Sequence, residues 1–319
     1  MIGKAALVFS AMVVAAGCST ESPPSQEAKA AQPAPPAASA PPRQIDWKAV
    51  EQAMGRTGAT QSGDVYRFSM PRSDLAVTVQ GVRLKPALAL GSWIAFKATS
   101  DGAIAMGDLV LKETEVAPVM SRLQEAGIEQ TAVHHHLQHE TPRVVYVHVH
   151  GHGDPVKIAE GVRASVALTS TPAQAPAAPA AAAAGDLGID TMQIAAALGH
   201  SGRVNGGVYQ VSVARAETLR DRGQEIPPSM GLAIAINFQP TGAGKAAIAG
   251  DFVMIASEVN PVIRALRQNG IEVTSLHNHL LNDEPRLFFM HFWANDDAVK
   301  LARGLRAGLD ATNSQRAAR

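Results

Sequence analysis

One cysteine in 319 residues, aromatics at 4% and a formal net charge of zero at pH 7 set the first limits on this chain. A single thiol can form neither an internal disulfide nor a cysteine-based metal site, so both frameworks are excluded. A balanced charge offers no field to a polyanion, which argues against nucleic acid as a partner. The sequence also lacks a nucleophile elbow, a Walker loop, a dinucleotide fingerprint, an HExxH helix and a CxxC pair. Ser92, in Gly91-Ser92-Trp93, lacks the second glycine of a hydrolase elbow and reads as a strand residue. What remains is ample apolar material, 46% of residues, enough for the core of one large or two ordinary domains.

The position of Cys18 explains its isolation. Lys4 gives a positive start, Ala5 to Ala16 a short apolar run, and Ala15-Ala16-Gly17-Cys18 the small-residue site of a signal peptide. The site resembles a bacterial lipobox with Ala15 where leucine is more usual. The expectation is a signal peptide over 1–18, lipidation of Cys18, and an exported protein anchored to a membrane and facing the periplasm or cell exterior; ordinary cleavage is the alternative. The apolar run is too short for a stable transmembrane helix. Residues 19–43, rich in Pro, Ala and Ser, cannot bury enough surface to offset their ordering entropy and read as a tether.

Histidine is concentrated. Seven of the eleven lie in Thr131–Pro155, TAVHHHLQHETPRVVYVHVHGHGDP, and a degenerate copy returns as Thr274–Asp297, TSLHNHLLNDEPRLFFMHFWANDD. His277, His279, Pro285, Arg286 and His291 follow His134, His136, Pro142, Arg143 and His148 at one constant offset, which means duplication. The periodicities give each copy the order α-β-β-β-β-α-β-β-α, over 44–168 and 187–310, with an Ala/Pro linker at 169–186 and a tail at 311–319. The predicted class is α+β: two mainly antiparallel sheets with helices, packed as a pseudo-dimer around a cleft. Leu75–Gln80 is among the predicted strands, and the second copy diverges between Arg215 and Pro228.

The strings PRSDL (Pro71–Leu75), LKPALALGSW (Leu84–Trp93), MGDLVL (Met106–Leu111), TAVHHHL and YVHVHGHGDP resemble the LppY/LpqO family of bacterial lipoproteins. The resemblance spans about residues 45 to 310. It implies duplicated domains and a lipoprotein or secreted setting, but no activity. The first copy departs from the family's HNHL pattern by carrying His135 where the second has Asn278.

On a strand, alternate residues share a face, so His134 and His136 point together while His135 points away; Tyr146, His148 and His150 likewise oppose Val145, Val147 and Val149. A hairpin register setting His134 opposite His148, and His277 opposite His291, makes the imidazoles converge; a one-residue slip separates them. Converging imidazoles suit a divalent transition metal, zinc or copper first, with nickel and iron also open. The expected ligands are His134, His136, His148 and His150, with Asp108, Glu115 or Asp154 completing the shell. The alternative is a polar sheet face of hydrogen-bonding histidines in a module that binds a small ligand or envelope partner. A metal-free His/Asp acid–base enzyme is a third reading.

In the second copy, His277, His279, His291, Asp251 and Arg286 are the counterparts, but Trp293 replaces His150 and Asn295 replaces His152, which marks that copy as the weaker site. Arg72 with Asp74, and Arg143, are candidate anion contacts. Gly151-His152-Gly153-Asp154-Pro155 reads as either a phosphate-approaching loop or a turn with a helix cap.

Overall fold

The computed structural model describes residues 41–173 and 187–316; Cys18, most of the 19–43 stretch and most of the linker lie outside them. The first repeat runs α1 (Trp47–Met54), β1 (Ala59–Gln61), β2 (Val65–Pro71), β3 (Thr78–Val79), β4 (Val82–Arg83), α2 (Pro86–Ala89), β5 (Gly91–Ala98), β6 (Ala103–Lys112), α3 (Glu113–Glu125), β7 (Glu129–His134), β8 (Glu140–Thr141), β9 (Val144–Gly153) and α4 (Pro155–Val166). The second runs α5 (Thr191–Leu198), β10 (Arg203–Asn205), β11 (Val208–Val213), β12 (Arg220–Asp221), β13 (Gln224–Glu225), β14 (Ile234–Gly242), β15 (Lys245–Met254), α6 (Ala256–Gln268), β16 (Glu272–His277), β17 (Asp283–Glu284), β18 (Phe288–Asp297) and α7 (Ala298–Asp310). A 3-10 turn at Pro228–Met230 takes the place of α2.

Local chemistry is duplicated with the elements. Asp46 and Asp190 cap α1 and α5, each accepting two backbone N–H groups, and Gly55 and Gly199 end those helices in the left-handed conformation, at φ 69 and φ 74. Both main sheets are six-stranded and antiparallel, ordered β1-β2-β5-β6-β9-β7 and β10-β11-β14-β15-β18-β16. One face of the first sheet carries Phe68, Ile94, Leu109, Val145, Val147 and Val149 and is sealed by Val50, Val119, Leu123, Ile158 and Val162 from α1, α3 and α4. The opposite face, with Asp108 and His148 in register, turns toward the equivalent face of the second repeat.

The predicted strand at Leu75–Gln80 is corrected. Only Thr78 and Val79 pair, and they do so in a small ribbon with β4 and β8. Residues 75–90 leave their own sheet as an arm, and Leu75, Val77, Leu84, Leu88 and Leu90 bury against Val208, Ala247, Ala249 and Trp293 of the other repeat. The alternation that reads as a strand reports burial on that partner surface. The divergent stretch of the second repeat forms the reciprocal arm, placing Leu219, Ile226 and Met230 with Val65, Ala95, Ile104 and Met106. Polar contacts fix both arms: Lys85 N–H donates to Gln239 Oε1 at 2.7 Å, the Gln239 amide donates to Arg83 O at 2.8 Å, and Ser229 Oγ donates to Ser62 O at 2.6 Å. Beyond α7, Asn313 N–H donates to Glu258, so the start of the tail belongs to the fold. Among the described residues no helix is long and apolar enough to cross a membrane.

Candidate metal centre

In each repeat the histidines lie on or just past the edge strand, β7 or β16, and on its inner neighbour, β9 or β18. β7 pairs with β9 so that His134 faces Tyr146 and Ala132 faces His148; in the second repeat His277 faces Phe289 and Ser275 faces His291. The register is thus two residues from the expected one. Because the period is two, parity is kept and the imidazoles still share a face. They meet on the diagonal, with ring centroids 5.1 Å apart for His134 and His148 and 4.8 Å for His277 and His291.

A bulge interrupts each of these pairings, at Thr131 and at Thr274. It turns the threonine toward the other repeat: Thr131 Oγ1 donates to His279 O at 2.6 Å and Thr274 Oγ1 donates to His136 O at 2.5 Å. Asn278 adds a bond from its amide to Thr131 O, 2.8 Å. These reciprocal contacts draw the two HxH pairs together.

The result is one cluster of six imidazoles, three from each repeat. Rings of His134 and His277 stack at 3.8 Å, His148 and His279 at 3.8 Å, and His136 and His291 at 3.7 Å. Tyr146 backs His136 at 3.3 Å and Phe289 backs His279 at 3.5 Å, a pair at equivalent positions in the two copies. Asp108 lies 3.4 Å from His136 Nε2, and Asp251 lies 3.1 Å from His279 Nε2. His134, His136 and His148; His148, His277 and His279; and His134, His277 and His291 each bring donor atoms within 4.8 Å of one another, so each trio can hold a metal ion.

The electrostatics suit that chemistry. Burial, then the neighbouring imidazoles, pushes His134 down to about 2 and holds His136, His148 and His277 below the ordinary histidine value; burial does the same to His291. These rings are therefore neutral at physiological pH, the form that binds metals. Burial, and then the Asp251 charge, raises Asp108 to about 8, against the opposing influence of Arg67. Arg67 carries no histidine-like signal in the sequence; it stacks over Trp93 at 4.0 Å.

Several ring nitrogens are also oriented. His291 Nδ1–H donates to Gly250 O at 2.8 Å and His279 Nδ1–H donates to Gly231 O at 3.1 Å, which leaves each Nε2 as a lone-pair donor aimed into the cluster. Both nitrogens of His134, Nε2 of His136, His148 and His291, Nδ1 of His277, and Oδ1 of Asp108 and Asp251 are buried without a hydrogen-bond partner. Such a concentration of unpaired buried polar atoms is costly in a protein interior. A bound cation takes up the lone pairs of several such atoms together, so the residues fit a metal.

Other predicted site residues lie elsewhere. His150 shares the face of His148 but sits further along β9, its Nε2 3.1 Å from Asp221 and its Nδ1 3.6 Å from Glu129. Its counterpart Trp293 donates to Gln80 Oε1 at 3.0 Å, so the His-to-Trp exchange does not weaken the cluster. The second repeat is a full half of the centre, contrary to the reading of it as the weaker site. Glu115 accepts from Arg72, Lys112 N–H and Ser170 N–H, and the fully buried Arg72 also binds Asp74, so these groups are committed to one another rather than to the histidines. Asp154 is the N-cap of α4, accepting from Val156 and Lys157. Arg143 is exposed, and Arg286 binds Asp283 at 2.9 Å and two loop carbonyls. His135 points away, 2.7 Å from Val144 O.

Comparisons with known proteins bear on the fold and lineage. Two solved structures are similar: the trimeric bacterial microcompartment shell protein PduB, 13% identical over 79% of this chain and 89% of that one at a TM-score of 0.20, and EtuB from Clostridium kluyveri, 10% identical over 79% and 90% at 0.18. At those scores the likeness carries no argument. No curated protein matches significantly. A family model described as Domain of Unknown Function (DUF1259) matches residues 48–168 and again 192–311. The chain belongs to that family and carries its domain twice.

Proposed function

We propose that this protein is an exported, membrane-anchored lipoprotein of the LppY/LpqO type that binds a divalent transition metal, zinc or copper, between its two repeats. The observation that carries the metal reading is the convergence of six buried or half-buried imidazoles from both repeats, most with buried nitrogens unpartnered. His134, His136, His148, His277, His279 and His291 would hold the metal, with Asp108 and Asp251 beside them. Imidazole-rich, thiol-free donors suit zinc and copper. A metal bound there would supply Lewis acidity; burial keeps His134, His136, His148, His277 and His291 neutral, and the Gly250 and Gly231 carbonyls orient His291 and His279.

Elemental analysis of the untagged, exported protein tests this. His134→Ala and His148→Ala are each expected to reduce retained metal at least tenfold, while His135→Ala, outside the cluster, retains it. Equal retention in all three variants would refute the site. The ring stacking on Tyr146 and Phe289 favours a second reading, in which the histidines serve only as a packed inter-repeat layer of a ligand-binding module. A metal-free protein that also takes up no zinc or copper on titration would establish that reading instead.

The anchor is tested separately. Cys18→Ser is expected to abolish incorporation of labelled fatty acid and to move the protein from the membrane to the soluble fraction. Unchanged labelling would remove the lipoprotein assignment.

A further inference from the structure

We infer that the histidine cluster holds two metal ions, each bound by the HxH pair and the aspartate of one repeat, with His148 and His291 completing the two sets. This rests on the metal-binding reading above and concerns how many ions that site takes. The donor count is the first ground. The cluster offers His134, His136, His277, His279, Asp108 and Asp251, besides the two completing imidazoles. Protein-bound zinc is normally four-coordinate, so eight donors match two ions. One ion would leave half of them buried and unpaired, including one of the two aspartates.

Spacing is the second ground. Ligand atoms about 2.0–2.1 Å from a tetrahedral ion stand roughly 3.3 Å from each other. His277 Nε2 and His279 Nε2 are 3.0 Å apart, His279 Nε2 and Asp251 Oδ2 are 3.1 Å apart, and His136 Nε2 and Asp108 Oδ2 are 3.4 Å apart. These are the lengths of edges of a coordination shell; the His–Asp edge occurs in both repeats and the His–His edge in the second. The third ground is symmetry. Asp108 stands in register with His148, and Asp251 with His291. The donors of His148, His277 and His279 already lie within 4.8 Å of one another, and His291 stacks on His136 as His148 does on His279. Across the His134–His277 stack, His134 and His136 of the first repeat also bring donors within 4.8 Å of one another and of His148.

Cobalt(II) is the probe, because it occupies zinc-type sites and is visible by absorption and by electron paramagnetic resonance. Titration of the metal-free, exported protein is expected to saturate at two equivalents, with the paramagnetic signal broadened or lost through coupling at full loading. The double variant His279→Ala/Asp251→Asn is expected to bind one equivalent and to show an uncoupled high-spin signal. Saturation of the wild-type protein at one equivalent would overturn the two-ion inference while leaving the single-metal reading intact. Failure to bind any cobalt would defeat both. The wild-type stoichiometry decides the question even if the double variant does not fold.

Discussion

Truncating Arg72 to alanine is expected to destabilise the protein by about 3–5 kcal/mol, the usual cost of removing one partner of a buried ion pair. Its guanidinium is fully buried, donates to Val110 O at 2.6 Å and to Glu115 at 2.8 and 3.2 Å, and forks onto both oxygens of Asp74 at 2.9 Å. Without it, the buried Glu115 carboxylate and the Val110 carbonyl lose their closest donor, and Asp74 loses its ion-pair partner. The pH dependence follows from the same contacts. Burial alone would raise Glu115, but the hydrogen bonds from Arg72, Lys112 N–H and Ser170 N–H, together with the Arg72 charge, outweigh it and hold the carboxyl below its ordinary value. Asp74 is lowered in the same way. A carboxylate depressed in the folded state contributes stability that is fully present above its unfolded pKa, about 4, and is lost as pH falls through the folded one. The gap between wild type and Arg72→Ala, read from urea unfolding, is therefore expected to narrow as pH falls from neutrality toward and below about 4, as the carboxylates protonate. A gap that instead opened on acidification would contradict the assignment.

Gly250→Ala is expected to cost about 3 kcal/mol or more, the upper end for overpacking, because a Cβ there would overlap the Ala235 carbonyl oxygen and meet the Phe292 ring. The position sits mid-strand between β14 and β18, where the backbones have no slack to separate. Its carbonyl also orients His291, so the substitution is expected to lower metal retention as well as the urea midpoint. Gly91→Ala is the control: its Cβ would stand in ordinary contact, 3.9 Å from the nearest backbone oxygen, and the expected change is under about 0.5 kcal/mol. If both glycine variants unfolded at the same urea concentration, the packing account of Gly250 would be wrong.

The duplication, the α+β class and the sharing of a face by His134 and His136 are all legible in the sequence, because constant offsets and a period of two are properties of the string itself. The choice of carboxylate is not. Asp108 joins the histidines through the β6–β9 register, a pairing that no local pattern encodes, whereas Glu115 and Asp154 have equally suitable side chains committed to a buried arginine and a helix cap. The apparent decay of the second copy misleads for a related reason. Trp293 stands where His150 does, and the loss of one histidine reads as the loss of a ligand. Yet His150 is bound to Asp221 outside the cluster, so its replacement removes nothing from the centre. The convergence of the two repeats on one site is set by Thr131 and Thr274, whose bulged backbones reach across to the opposite HxH segment. A threonine in a strand gives no notice of that.

The reciprocal arms have a consequence for the protein's synthesis. When the first repeat has left the ribosome, Val65, Ala95, Ile104 and Met106 have no cover, because Leu219, Ile226 and Met230 have yet to be made. At 5–20 residues per second the wait is on the order of ten seconds. During that interval the nascent chain exposes this apolar patch, a substrate for holding chaperones, and a second chain at the same stage could supply the missing arm and trap a swapped pair.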